Sequence, residues 1–176
     1  MAVRARQDEA LTDRIALGRH SWEARYGLTA GAAMETISNI IRVREIIVNF
    51  MESYLAELDL NFLEYDVLSV IAEADIGGMP LSQIGKGARK YFGHQTSITN
   101  VVTRLGERRL VTIKPDVNDR RVTRVALSRS GTSRLRKANQ LLADVDFGVG
   151  ALSDRERETV SALLFRVRAE HGDAAG

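Results

Sequence analysis

The chain has 176 residues, of which 44% are hydrophobic and 27% are charged, and its formal net charge is +2. This length allows one folded domain with helical extensions and argues against two full enzymatic domains. Cysteine is absent from the sequence, which excludes disulfides, thiolate metal sites and redox sensing by a thiol. No apolar stretch is long enough to span a membrane, so we predict a cytoplasmic protein with no membrane partner.

Charge is distributed unevenly along the chain. Between Pro80 and Lys137 there are 14 basic residues and three acidic ones, a local balance of +11, so the remainder carries −9. A basic segment between acidic ones is typical of a protein that places one surface against a polyanion. The alternative is a solvated basic surface without a partner.

Two helices are predicted before residue 60. The first has a loose apolar pattern over Arg4–Arg25 and stops at Gly27. The second is long and amphipathic and covers Ala30–Leu58, because most of its apolar residues recur three or four positions apart.

Three more helices are predicted before the first strand. Asn61 and Glu64 have the spacing of a capping box, which starts a helix that ends near Asp75. A shorter helix follows between Pro80 and Phe92, with Lys86 on its outer side. The third has one apolar stripe, whose spacing requires burial: Ile98, Val101, Val102 and Leu105.

The opposite face of this third helix is unusual for a solvated surface. It carries short polar side chains with one arginine beside them: Gln95, Thr96, Thr99, Asn100, Thr103 and Arg104. Glu and Lys, which are better helix formers than Thr or Asn, are the usual residues of an exposed face. The composition therefore indicates that these side chains serve contacts, although a plain polar face remains the alternative.

After this helix, the period of the apolar residues changes from near 3.6, typical of a helix, to 2, typical of a strand. Two β-branched runs, Leu110–Lys114 and Val122–Leu127, flank a charged turn that includes Arg120 and Arg121, which predicts a two-stranded hairpin with a basic tip. Ser128 is placed to cap a further helix, and Ser153 begins the last one.

Helix, tight connection, helix and hairpin is the order of a winged helix-turn-helix, so the predicted fold class is mainly α with a two-stranded wing. In such a fold the second helix enters the DNA major groove, the first contacts phosphates, here through Lys86, and the hairpin tip reaches the minor groove. His94 precedes the second helix and is interpreted as a cap or phosphate contact. No metal site is expected, because the three histidines are far apart in the sequence.

Enzymatic motifs are absent from the sequence. The stretch Ile84–Gly87 resembles a phosphate-binding loop but lacks the Ser or Thr after the lysine and the earlier glycine that such a loop needs. We therefore predict no enzyme and no cofactor.

Two stretches resemble the MarR (multiple antibiotic resistance regulator) family. They are Gln95–Leu105 and Asp119–Ser128; Asp119 and Arg121 match the wing motif of an Asp and an Arg two apart, followed by a strand that ends in Leu-Ser. Two positions depart from the family pattern. Arg109 stands where members often have Gly, which predicts a left-handed conformation there, and Gln95 replaces a frequent Pro at the first helical turn.

The resemblance implies a homodimer, with dimerisation helices in residues 1–60 and 129–176 and a winged helix-turn-helix in residues 61–128. It implies a regulator, predicted to be a repressor, that binds a pseudo-palindromic operator in double-stranded DNA. By this analogy Arg121 enters the minor groove and Asp119 holds it. The residues facing the major groove are Gln95, Thr96, Ser97, Thr99, Asn100, Thr103 and Arg104.

The resemblance also implies a small aromatic or phenolic effector, bound between the dimerisation helices and the winged domain. The candidate lining residues are His20, Trp22, Arg25, Tyr54 and Tyr65. Plain packing is the alternative for each of them, and it is favoured for the two tyrosines. The alternative function for the whole chain is a winged-helix module that binds an acidic protein partner.

Overall fold

A computed structural model describes residues 13–74, 77–92 and 98–173 of the chain, with the backbone alone over residues 87–92. Contacts within the chain group its residues into two units, one that extends to Asn49 and one that begins at Phe50. None of the helices in these described ranges is long and apolar enough to cross a membrane.

The first unit contains helix α1 (Arg14–Tyr26) and most of helix α2 (Leu28–Leu55). The carboxylate of Asp13 caps α1 by accepting the N–H of Ile15 at 2.9 Å, and Asp13 itself is extended. The prediction of one continuous helix from residue 4 is therefore wrong at this cap, while residues 1–12 lie outside the described part. Gly27 ends α1, as predicted, with a φ of 89°.

Helix α2 ends earlier than its apolar pattern predicted. The helix stops at Leu55, and Ala56–Leu58 form a 3₁₀ turn that leads into Asp59, whose φ of 52° is left-handed. Met51 and Leu55 near this end are buried, because they belong to the core of the second unit. The 3₁₀ turn and the left-handed residue together make a sharp corner before the next helix.

The second unit continues with α3 (Phe62–Ala72), α4 (Leu81–Phe92) and α5 (Ile98–Glu107). The predicted capping box of α3 is confirmed: Asn61 Oδ1 accepts the N–H of Glu64 at 2.9 Å, and Glu64 Oε2 accepts the N–H of Asn61 at 3.2 Å. Helix α3 ends three residues before the predicted Asp75.

Side chains from several elements meet in one apolar core in the second unit. The fully buried ones are Leu55, Val67, Leu68, Ile84, Val101, Val102, Leu105, Leu110, Val125, Ala138 and Leu142. Burial of this apolar surface is the main favourable contribution to folding, at roughly 25 cal/mol per Å².

The sheet has three strands, β1 (Met79–Pro80), β2 (Val111–Pro115) and β3 (Thr123–Leu127), in the order β1-β3-β2. The hairpin of β2 and β3 is the predicted one. Strand β1 was not predicted, because two residues are too short for a period of 2 to appear in the sequence. It pairs antiparallel to β3, with Met79 opposite Val125.

Helices α6 (Arg129–Asp144) and α7 (Asp154–Glu170) follow the sheet, with a 3₁₀ turn at Asp146–Gly148 between them. Ser128 caps α6 as predicted, since its Oγ accepts the N–H of Gly131 at 2.9 Å. The same hydroxyl donates to the carbonyl of Arg109 at 2.6 Å, and the Ser128 N–H donates to the carbonyl of Leu110 at 3.0 Å. One residue therefore fixes the start of α6 against the start of the hairpin.

Because Gly131 has no side chain, the first turn of α6 can approach the backbone of Leu110 closely. A Cβ atom at this position would overlap the backbone carbonyl oxygen of Leu110, which cannot move without disturbing β2. We expect Gly131→Ala to lower the free energy of unfolding by about 2 kcal/mol, a typical cost of overpacking. The exposed neighbour Ser130 gives the control, because Ser130→Ala adds no atom to the core. Equal urea midpoints for the two variants would contradict this explanation.

Candidate nucleic-acid interface

Helix α5 is oriented by its apolar stripe. Val101, Val102 and Leu105 are 0 to 1% exposed, and Ile98 at the start of the helix is partly buried. This confirms the predicted stripe. Because the three buried side chains fix the rotation of the helix about its axis, the opposite face must point to solvent.

Four of the predicted contact residues lie on this exposed face: Thr99, Asn100, Thr103 and Arg104. The Thr103 hydroxyl donates to the carbonyl of Thr99 at 2.9 Å. Toward a partner this hydroxyl can therefore only accept a hydrogen bond, while the Thr103 methyl group can make an apolar contact. His94, Gln95, Thr96 and Ser97 lie outside the described residues.

The end of α5 shows the left-handed residue that the resemblance to the MarR family implied. Arg109 has a φ of 57°. Its N–H donates to the carbonyl of Gly106 at 2.9 Å, and the N–H of Leu110 donates to that of Leu105 at 2.8 Å. This pair of hydrogen bonds is a Schellman motif, which satisfies carbonyls that the helix leaves free.

Arg108, just after α5, is a structural residue that sequence reasoning missed. Its guanidinium contacts Glu64 on α3 and Asp59 at the corner before α3, with N–O distances of 3.1 Å and 2.8 Å. These partners are 44 and 49 positions away, so no local spacing in the sequence points to the contact. In the sequence Arg108 contributes only to the count of basic residues.

The wing turn between β2 and β3 is built around Asp116. Its Oδ1 accepts the N–H groups of Asn118 at 2.8 Å and Asp119 at 3.2 Å, and its Oδ2 pairs with Nε of Arg124 on β3. Arg124 also donates to the carbonyl of Gly78 beside β1, at 2.6 Å. The hydrogen bond from Arg124 and those from the two N–H groups lower the pKa of Asp116, which keeps it charged at neutral pH.

At the tip of the wing, Asp119 holds Arg121. Its Oδ1 accepts both the backbone N–H and Nε of Arg121 at 3.0 Å, and its Oδ2 accepts from Nη2 at 3.0 Å. The side-chain hydrogen bond from Arg121 lowers the pKa of Asp119. The Arg121 side chain is nevertheless 90% exposed, so the pair orders the arginine without covering it.

Other charged and apolar side chains of α4 and the wing are also exposed. Arg120 beside Arg121 is exposed, and so is Lys86 on α4. Val117, in the turn between the strands, is 94% exposed and belongs to no part of the core. Where the structure describes the chain, no group of three or more His, Asp or Glu side chains is arranged to hold a metal ion.

Comparison with known proteins identifies the family. No protein-family model matches the chain. The HTH-type transcriptional regulator MhqR of Bacillus subtilis is 31% identical over 130 residues, which span 72% of this chain and 84% of MhqR. A solved MarR family transcriptional regulator, Sco5413 of Streptomyces coelicolor, is 28% identical, with a TM-score of 0.71 over 81% of this chain and 96% of that one. The chain belongs to the MarR family.

The MarR winged-helix fold is shared with more distant members. A mutant MarR from Escherichia coli, solved in complex with operator DNA, is 21% identical to this chain, with a TM-score of 0.64. That alignment covers 83% of this chain and 96% of the other. At this identity the likeness establishes the common fold.

The five candidate effector residues of this MarR family protein fall in both units. His20, Trp22 and Arg25 lie on α1, where His20 Nδ1 is 2.8 Å from the carbonyl oxygen of Ala16 and Trp22 contacts Tyr26 with ring centres 5.0 Å apart. The tyrosines belong to the second unit.

Both tyrosines have partners within the second unit. The Tyr54 ring lies 4.9 Å from that of Phe50, and the Tyr65 hydroxyl donates to Asn139 Oδ1 at 3.0 Å. These contacts agree with the packing role favoured for the two tyrosines. The effector assignment of all five residues stays a prediction.

The left-handed Arg109 gives a direct test of the end of α5. A residue with a Cβ is strained in this region and glycine is not, so Arg109→Gly is expected to raise the free energy of unfolding by about 0.5–1 kcal/mol. Arg104→Gly, inside the helix, is the control and should lower it by about 1 kcal/mol. Urea unfolding measures both values, and a loss of stability in Arg109→Gly would be inconsistent with the observed strain.

Proposed function

We propose that this protein is a sequence-specific DNA-binding repressor that binds a pseudo-palindromic operator as a homodimer. The observation that carries the proposal is that α5 exposes a polar face of short side chains and one arginine, while Asp119 holds a second exposed arginine at the wing tip. Together they offer one element to each groove of the duplex.

The α5 face has the chemistry of major-groove readout. Asn100 can bond in bidentate fashion to adenine, Arg104 to guanine, and the Thr methyl groups can contact the methyl of thymine. The threonine and asparagine side chains are short, so the helix must approach the base edges closely. The buried stripe favours this approach, because it directs the bulky apolar side chains of α5 into the core.

The wing has the chemistry of minor-groove contact. A narrow minor groove has an enhanced negative potential that attracts arginine. Since Arg121 is already ordered by Asp119, less side-chain entropy is lost when it enters the groove. Lys86 and the neighbouring basic residues would contact phosphates, which contribute affinity that is independent of sequence.

Dimerisation is proposed because α7 has an apolar stripe and no buried residue. Val160, Leu163, Leu164 and Val167 follow one another at helical spacing, and each is between 39% and 53% exposed. A stripe of this kind needs a partner surface. In the proposed dimer, residues 1–60 and 129–176 carry the dimerisation helices and residues 61–128 form the DNA-binding domain.

Two-fold symmetry would place the recognition helices about one turn of DNA apart, roughly 34 Å. A bound dimer would then block the promoter sterically. In this proposal a small aromatic effector would release the DNA by changing the spacing of the two wings.

The wing assignment predicts that Arg121→Ala weakens operator binding by about 1–3 kcal/mol without loss of the dimer. Arg42→Ala, on α2, is the control because it removes the same charge far from the wing in sequence. Fluorescence anisotropy at several salt concentrations measures both, and log affinity should fall linearly with log salt for a DNA-binding protein. Unchanged operator affinity in Arg121→Ala would falsify the wing assignment.

The dimer assignment predicts that aspartates in the apolar stripe of α7 produce a monomer. Leu163→Asp combined with Leu164→Asp places two charges in a surface that must lose water on association. Arg155→Asp combined with Glu158→Asp puts two aspartates on the opposite face of the same helix and should leave the dimer intact. Sedimentation velocity distinguishes the two forms; a dimer that survives the first pair of changes rules out this interface.

A further inference from the structure

Arg108 joins the end of α5, the proposed recognition helix, to the beginning of α3. It also contacts Asp59 at the corner before α3. We propose that Arg108 is a positioning residue for operator recognition: it holds the end of α5 so that the exposed side chains of this helix meet base edges in register. The inference rests on the proposed function and assigns a specificity role to a residue that itself needs no contact with DNA.

Both terminal nitrogens of the guanidinium are used within the protein. Nη1 donates to Glu64 Oε2 at 3.1 Å, while Nη2 donates to Asp59 Oδ2 at 2.8 Å and also to the Asp59 carbonyl. The Arg108 side chain is only 28% exposed and that of Glu64 only 8%. Partial burial strengthens the pair with Glu64 relative to a surface ion pair, whereas Asp59 is 83% exposed and adds a second, weaker anchor.

Glu64 makes the link between the helices direct. Its Oε2 accepts from Arg108 and also from the N–H of Asn61, which is the capping bond of α3. The residue that follows α5 and the N-cap residue of α3 therefore donate to one carboxylate oxygen. A shift of α5 would have to break the ion pair or disturb the cap.

The corner before α3 is held from a second side as well. Nη1 of Arg134, on α6, donates to the carbonyl of Leu58 at 2.6 Å, and this nitrogen is 3.8 Å from Oδ2 of Asp59. Two arginine side chains thus hold the corner through similar hydrogen bonds to a backbone carbonyl and ionic contacts with Asp59. Arg108 follows directly on the recognition helix and Arg134 does not, which provides a matched pair for experiment.

An ion pair that fixes the position of α5 matters more for the recognition of bases than for general affinity to DNA. The side chains of a recognition site must be held to about 0.5 Å and 10–20° for productive geometry. Phosphate contacts tolerate a larger displacement, because they depend mainly on charge and distance. Loss of the tie should therefore reduce the preference for operator over other DNA, beyond the effect of the lost charge.

The test compares Arg108→Gln with Arg134→Gln. Each removes one positive charge and one tie to the corner, and circular dichroism confirms that each variant folds. Affinities are measured for an operator fragment and for a scrambled duplex of equal length. We expect the operator-to-scrambled ratio to fall about tenfold in Arg108→Gln, which is the loss of one good base contact, and to stay at the wild-type value in Arg134→Gln. An equal fall in both variants, or in neither, would overturn the inference.

Arg108→Lys adds a conservative variant. Lysine keeps the charge but has one ammonium in place of a fork, so it can pair with Glu64 or Asp59 but cannot reproduce both contacts. We expect partial recovery of the operator preference. A ratio no better than that of Arg108→Gln would show that the charge has no part in positioning α5, which contradicts the role proposed here for the ion pair.

A measurement without DNA separates this inference from the proposed function. Hydrogen exchange at the backbone amides of α5 should become faster in Arg108→Gln and remain unchanged in Arg134→Gln, because only the first releases the end of the helix. If wild type shows no preference for any DNA, the proposed function fails, and the exchange rates still decide whether Arg108 holds α5. Equal exchange in wild type and Arg108→Gln would remove the basis of the inference.

Discussion

Helix α5 makes one turn in about 3.6 residues, so burial of Val101, Val102 and Leu105 leaves Thr99 and Asn100 on the solvent side. One orientation of α5 about its axis therefore buries the apolar side chains in the core and exposes the polar face to solvent. A substitution that turned the stripe away from the core would cost stability and remove the proposed base contacts together. Fold and proposed function therefore depend on one constraint in this part of the chain.

The wing depends on a chain of polar contacts that begins in the sheet. Arg124 on β3 reaches Gly78 beside β1 and Asp116 in the turn, and Asp116 orders the backbone that leads to Asp119. Each of these carboxylates has a lowered pKa, so the contacts persist at neutral pH. An exposed arginine at the tip is in this way supported by a hydrogen-bonded hairpin, as a preorganised contact requires.

Local patterns in the sequence predicted most of the elements. The apolar stripe of α5 and the capping box of Asn61 depend on neighbours within a few positions, so spacing alone finds them. The left-handed Arg109 was instead implied by the family resemblance, because members often have glycine at this position. Strand β1 was missed because two residues show no period, and Arg108 because its partners are brought together only by folding. The uneven charge, +11 in the central segment, indicated a polyanion partner but could not say which arginines are held within the protein.

Selection of bound fragments from genomic DNA tests sequence-specific binding most directly. The purified protein is mixed with sheared DNA at physiological salt, and the bound fragments are sequenced and aligned. Sequence-specific binding by a dimer predicts enrichment of a short palindrome with half-sites about one helical turn apart. Recovery of all fragments in proportion to their input would contradict it, because binding through phosphates alone does not distinguish one sequence from another.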